Sequence, residues 1–180
     1  MQFNKPGPAN TATTLDTAQK RAKDLGITEV VIATSSGNTV FQALERFGAD
    51  QIIAVTYHYG FRKPFEPVMP PETRNDLQAR GIAVVGATHA LSGIERSVFQ
   101  KYQGVYPVLM IADTLRLMGQ GVKVAVEIAV MAADAGVLSG QDIIAIGGTA
   151  KGADAAVVIK PAHMNNFFDL KIREIICKPN

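Results

Sequence analysis

"VVIATSSGNTVF", residues 30–41, joins four apolar residues to a cluster of small hydroxyl residues around Gly37, and then to a second apolar run. A short β-branched stretch bounded by turn residues reads as a strand buried on both faces. Behind it Val40, Phe41, Leu44 and Phe47 recur at helical spacing as far as Gly48. The stretch is therefore a strand-to-helix turn, the unit from which parallel α/β sheets are built. At such a turn the first backbone N–H groups of the helix lack intrahelical partners and point at whatever lies above the strand. Thr34, Ser35, Ser36 and Thr39 add hydroxyl donors, Gly37 leaves room for close backbone approach, and no carboxylate intrudes. An anion is the natural occupant, and the hydroxyls are able to donate to phosphate oxygens. The competing reading is a plain N-cap on Ser36 or Asn38, which needs one hydroxyl rather than four.

Outward from this turn the same grammar repeats. Residues 13–25, "TTLDTAQKRAKDL", read as an amphipathic helix capped by Thr13 or Thr14 and stopped by Gly26. "QIIAVTYHYG" (51–60) reads as a strand, "PPETRNDLQARG" (70–81) as a helix and "IAVVGATHAL" (82–91) as another strand; the proline-rich 61–70 is a loop beyond a strand end. Residues 107–119 and 122–136 read as helices. The second is rich in valine but too long for a strand, and Val122, Val126, Ala129, Val130 and Ala133 share a stripe. Strands follow at 142–148, 155–161 and 170–177, the last alternating apolar and polar residues as an edge strand does. The expectation is one α/β domain over residues 1–180, its sheet mainly parallel, with antiparallel pairing open to the last strands.

Composition excludes several classes. The 18 basic and 16 acidic residues leave a net charge of +2 spread along the chain, which lacks the footprint that nucleic acid requires. Cys177 is the only cysteine and stands beside no metal-ligand spacing, which suits a reducing compartment. The N-terminal residues are polar, and the most apolar stretch, 122–137, is broken by Lys123, Glu127 and Asp134, so neither a secretory signal nor a bilayer span is expected. A cytoplasmic protein without membrane or nucleic-acid partners fits these features.

Two further groups of residues stand at strand ends. "GGTAKGAD" (147–154) offers Gly147 and Gly148 to admit a ligand, Thr149 and Lys151 to bond a phosphate or ring carbonyl, and Asp154 to accept from a hydroxyl or ring N–H. A plain glycine-rich connection between two strands explains the composition equally well. The segment lacks the lysine-then-hydroxyl spacing of an ATP-binding loop. Thr56, Tyr57 and His58 end one strand, and Thr88 and His89 another; with no Cys or carboxylate at ligand spacing they read as pocket residues rather than a metal site. No glycine stands two residues before the serines, so there is no nucleophile elbow and no catalytic residue is assigned. Lys123 and Glu127, four apart on one helix, read as a surface ion pair. Phe167 and Phe168 are candidates to lie over a flat ligand, with core packing as the simpler role for at least one.

"NTATTLDTAQKRAKDLGITEVVIATSSGNTVFQAL" (10–44) followed by "DQIIAVTYH" (50–58) resembles the C-terminal α/β domain of pyruvate kinases, and "QDIIAIGGTAKGADAAVVIKP" (141–161) resembles its closing hairpin. With the N-T-x-x-T-L opening and "QGVKVAVEI" (120–128), the whole chain is similar to stand-alone pyruvate-kinase-C-terminal-domain-like proteins of archaea and bacteria. The resemblance implies a three-layer α/β/α sandwich. It does not carry over kinase activity, whose catalytic residues lie in a separate barrel. It places a phosphate on Thr34, Ser35, Ser36, Gly37 and Thr39, and it implies FMN as cofactor, its ring against residues 56–58, 88–89 and 147–154. The departures from the kinase pattern at "HYGFRKPFEPVMPPE" (58–72) and "ATHAL" (87–91) would supply the ring's walls. It also implies a capacity for homo-oligomeric contacts. A flavin-dependent oxidoreductase is the enzyme class left open; a non-redox sensor or binder of a phosphorylated metabolite would use the same turn, and a purely structural or interaction module would leave it solvated.

Overall fold

A computed structural model describes residues 1–180. The chain runs β1 (Gln2–Phe3), α1 (Thr11–Leu25), β2 (Val30–Ala33), α2 (Asn38–Ala43), β3 (Ile52–Thr56), α3 (Pro71–Ala79) and β4 (Ala83–Gly86). It continues through α4 (Glu95–Tyr102), α5 (Pro107–Arg116), α6 (Gln120–Asp134), β5 (Ile143–Gly147), β6 (Ala155–Lys160) and β7 (Lys171–Pro179). All seven strands join one sheet in the order β1-β7-β6-β5-β2-β3-β4. Strand β2 pairs in parallel with β3 and β5, β3 with β4, and β1 with β7, whereas β6 is antiparallel to both of its neighbours.

The β-branched runs are buried on both faces because side chains alternate across a strand. Val30, Ile32, Ile52, Ala54, Ile144 and Ile146 pack into a layer with Leu15 and Ala18 of α1, Val40 of α2 and Leu77 of α3. Val31, Ile53, Val55, Ile143 and Ala145 face the other way, against Ala112 of α5 and Val122, Val126 and Ala129 of α6. The result is the expected three-layer sandwich with a mainly parallel sheet.

Three local features differ from the sequence reading. Helix α1 starts at Thr11, not after a cap at Thr13 or Thr14. A 3₁₀ turn at Pro8–Asn10 runs straight into it, and the Thr11 hydroxyl donates to Pro8 O at 2.8 Å while accepting from Ala153 N at 3.0 Å. Thr14 is buried within the helix. Second, β7 is not the sheet edge: Gln2 and Phe3 pair with Lys178 and Pro179, and a two-residue strand has no periodicity to betray it. Third, α4 occupies a stretch to which the sequence reading assigned no element, and it packs on α5 without burying any residue fully.

Two crossovers fix where a crevice opens. From β2 the chain leaves over one layer through α2 to β3, and it returns through α6 on the other layer to β5 on the opposite side of β2. Ligands in open α/β sheets bind at such a switch point, beyond the carboxyl ends of the strands. Helix α6 comes unusually close to β5 there. A Cβ placed on Gly147 would stand 2.1 Å from Gly121 O and 2.9 Å from Ala125 N, both backbone atoms. Gly147→Ala is expected to destabilise the fold by about 2 kcal/mol or more, because backbone on both sides cannot yield. The measurement is the urea midpoint; an unchanged midpoint would contradict this packing.

Candidate functional site

The turn after β2 is built by its own first threonine. Thr34 N donates to Val55 O at 2.9 Å, and the Thr34 hydroxyl accepts from Gly37 N at 2.9 Å. Gly37 has φ +89, and a Cβ there would fall 2.5 Å from Thr73 Cγ2 on α3. The glycine thus serves the shape of the turn and the docking of α3 rather than close approach of a ligand, and its N–H is already engaged. An aspartate there would disturb the fold before it affected any anion. Helix α2 spans only six residues, so the helix-start contribution is small. What remains available are the backbone N–H groups of Ser35, Ser36, Asn38 and Thr39, which have no acceptor in the protein, and their side chains, which line the cleft above.

That cleft encloses about 680 Å³, within the range of small-molecule sites. One wall is aromatic. Tyr57 and Phe61 rings lie 4.2 Å apart by centroids, and His89 stands 5.3 Å from Tyr57 and 5.1 Å from Phe61. The Thr56 hydroxyl, at the end of β3, is buried, lines the cleft and has no hydrogen-bond partner in the protein, which leaves it free to bond a ligand. Five cations line the cleft: Lys123 is paired with Glu127 and Arg116 with Asp113, and Arg62, Arg96 and Lys151 carry no ion pair. The field favours an anion.

Lys123 and Glu127 are not the surface pair their spacing suggests. They lie at the cleft floor, 5% and 3% exposed, with Lys123 Nζ donating to Glu127 Oε2 at 2.5 Å. The other carboxylate oxygen accepts from Leu91 N at 3.0 Å, which ties the loop after β4 to α6. Between Gly119 and Ala133 they are the only charged residues of a helix otherwise apolar on all sides. A charge on a fully covered helix is the signal that could have exposed them. Burial pulls the Lys123 ammonium below its ordinary value, with Glu127 opposing. Arg96, Arg116 and Gln120 also escaped sequence reasoning, since they sit outside the strand-end turns, whereas Phe61 lies in the 58–72 segment expected to supply a wall.

The second glycine-rich segment is split in its roles. Gly148 and Lys151 line the cleft. Gly147 is given over to α6 packing, and Asp154 is turned inward: its Oδ2 accepts from Gly7 N at 2.9 Å and Thr149 N at 3.2 Å, while its Oδ1 lies beside Gly121 without a partner. Thr149 is held by that same bond. Thr88 is exposed beside the cleft rather than in it, and His58 keeps Nδ1 2.6 Å from Tyr59 O with its ring edge-on to His89. Phe167 packs into the α6 layer beyond the opposite end of β6 and Phe168 is 80% exposed, so neither covers the cleft.

A hydroxyl-rich turn at the switch point of a mainly parallel sheet closed by an antiparallel hairpin defines an α/β domain of the doubly wound class. The family model described as Pyruvate kinase, alpha/beta domain matches residues 12–159, and the chain belongs to that family. No helix is long and apolar enough to cross a membrane.

His89 gives the cleft a pH response. Burial holds its imidazole below the ordinary 6.5; the Glu127 carboxylate opposes this, and Lys123, His58 and Arg96 reinforce it. The unfolded chain therefore takes up this proton at a higher pH than the folded one does. Stability is full above the ordinary value and declines as pH falls from it toward the lower folded value. Urea midpoints at about pH 7.5 and about pH 5.5 should fall further for the wild type than for His89→Gln. Equal losses would refute the assignment.

Proposed function

We propose that the cleft binds FMN, with the phosphate on Ser35, Ser36 and Thr39 and the ring along the aromatic wall. The observation that supports this reading is the pairing, in one crevice, of a hydroxyl-lined turn under a cationic field with the Tyr57, Phe61 and His89 rings. Hydroxyls and cations suit a phosphate dianion, and flat aromatic faces suit a planar ring. The unpartnered Thr56 hydroxyl meets a polar ring edge or ribityl group. FMN, when bound, supplies reversible electron transfer; the chain's own residues bind it, orient it and shield it. A second reading is a phosphorylated metabolite bound without redox chemistry, favoured by Arg62, Arg96 and Lys151, three cations without an ion pair around the cleft.

The two readings separate on ligand binding. Purified protein should be yellow or should bind added FMN with a raised melting temperature; a colourless protein unaffected by FMN but stabilised by sugar phosphates would favour the second. Ser36 is exposed at the turn, so Ser36→Asp should keep the fold while repelling a phosphate. It should weaken FMN binding by about tenfold or more and leave riboflavin, which has no phosphate, nearly unaffected. Equal effects on the two ligands would place the phosphate elsewhere.

A further inference from the structure

Lys123 and Glu127 retain unspent hydrogen-bonding capacity at the cleft floor. An ammonium carries three donors and a carboxylate about four acceptor positions, yet the ammonium gives one bond to Glu127, and the carboxylate takes that one and one from Leu91 N. Both side chains still line the cleft, collared by Val124, Ile128 and Met131. A free anion placed there would meet the Glu127 carboxylate, a cation would meet Lys123, and a hydrocarbon would leave both charges without partners. What satisfies the pair is a neutral group that presents an acceptor directly beside a donor. Its apolar collar asks for that group to be part of a flat ring.

We infer that Lys123 and Glu127 recognise the edge of a cyclic imide, the ammonium donating to a ring carbonyl and the carboxylate accepting from the adjacent ring N–H. This rests on the reading that the cleft holds a phosphate-bearing ring, and it specifies which chemical edge points inward. The pyrimidine portion of FMN carries this edge, and so does the uracil of UMP. A pair buried without its ligand is costly to desolvate; recognition supplies the bonds that water cannot bring to the floor of an occupied cleft.

The test compares FMN and UMP with their N3-methylated counterparts by calorimetric or fluorescence titration. Methylation removes the donor and leaves the carbonyls, so it should weaken binding to the wild type by about tenfold or more. In the double variant Lys123→Met with Glu127→Met, the ratio between parent and methylated ligand should fall to near one, which separates lost hydrogen bonding from simple crowding. Replacing a buried ion pair by apolar residues of similar size is commonly tolerated; a melting curve checks the fold, and the wild-type ratio stands as evidence even if the variant fails to fold. FMN binding with a ratio near one in the wild type would overturn the inference while leaving the flavin reading intact. UMP binding with a large ratio and no FMN binding would uphold the inference and remove the flavin. If neither ligand binds, both fall.

Discussion

The close approach of α6 to β5 governs the rest of the molecule. With hydrogen in place of a side chain at both Gly121 and Gly147, the helix settles onto the strand until its backbone nearly touches. A helix held farther off would open the layer in which Val122, Val126 and Ala129 meet Val31, Ile143 and Ala145. Lys123 and Glu127, on the flank of α6 turned away from Gly121, line the cleft floor, and their charges are matched from within. The Leu91 amide answers one oxygen of Glu127. Two residues without side chains thus set the helix on the sheet, and the loop after β4 closes over its charged flank.

Much of the architecture was legible in the sequence because its signals are local. Val30–Ala33, Ile52–Thr56 and Ile143–Gly147 are β-branched runs short enough to be strands and apolar enough to be covered on both sides. The valines of α6 did not mislead, since the length of the run and its stripe overruled their strand preference. Gly26 ends α1 in the left-handed conformation as its position implied. The hairpin between β5 and β6, and the polar ends of β2 and β3, likewise follow from composition at a strand terminus.

The residues that sequence reasoning misplaced depend on distant partners. Asp154 is near Thr149 in the chain, but its orientation is set by Gly7, 147 positions away. Gly37 was given a role toward a ligand when its neighbour is Thr73 on α3. Lys123 and Glu127 have ordinary spacing for a solvated pair; only the loop laid over α6 makes them internal. Arg96 and Arg116 reach the cleft from helices whose own patterns say nothing about it. Periodicity reports which face of an element is covered, and not what covers it.

The bond from Gly7 to Asp154 carries a consequence for the order in which the protein assembles. It joins a segment before α1 to the loop after β5, and Thr11 makes a second junction to Ala153 in the same place. Contacts of such separation form only after a large loop has been closed, and their entropic cost is met late. The Pro8 and Thr11 rim of the cleft is therefore fixed only once Ala153 and Asp154 are in place. During synthesis the hydroxyl turn after β2 emerges early, yet it gains its opposite rim only when β5 and the following loop have been made. The two rims of the cleft are thus separated in the time of their making by more than a hundred residues of synthesis.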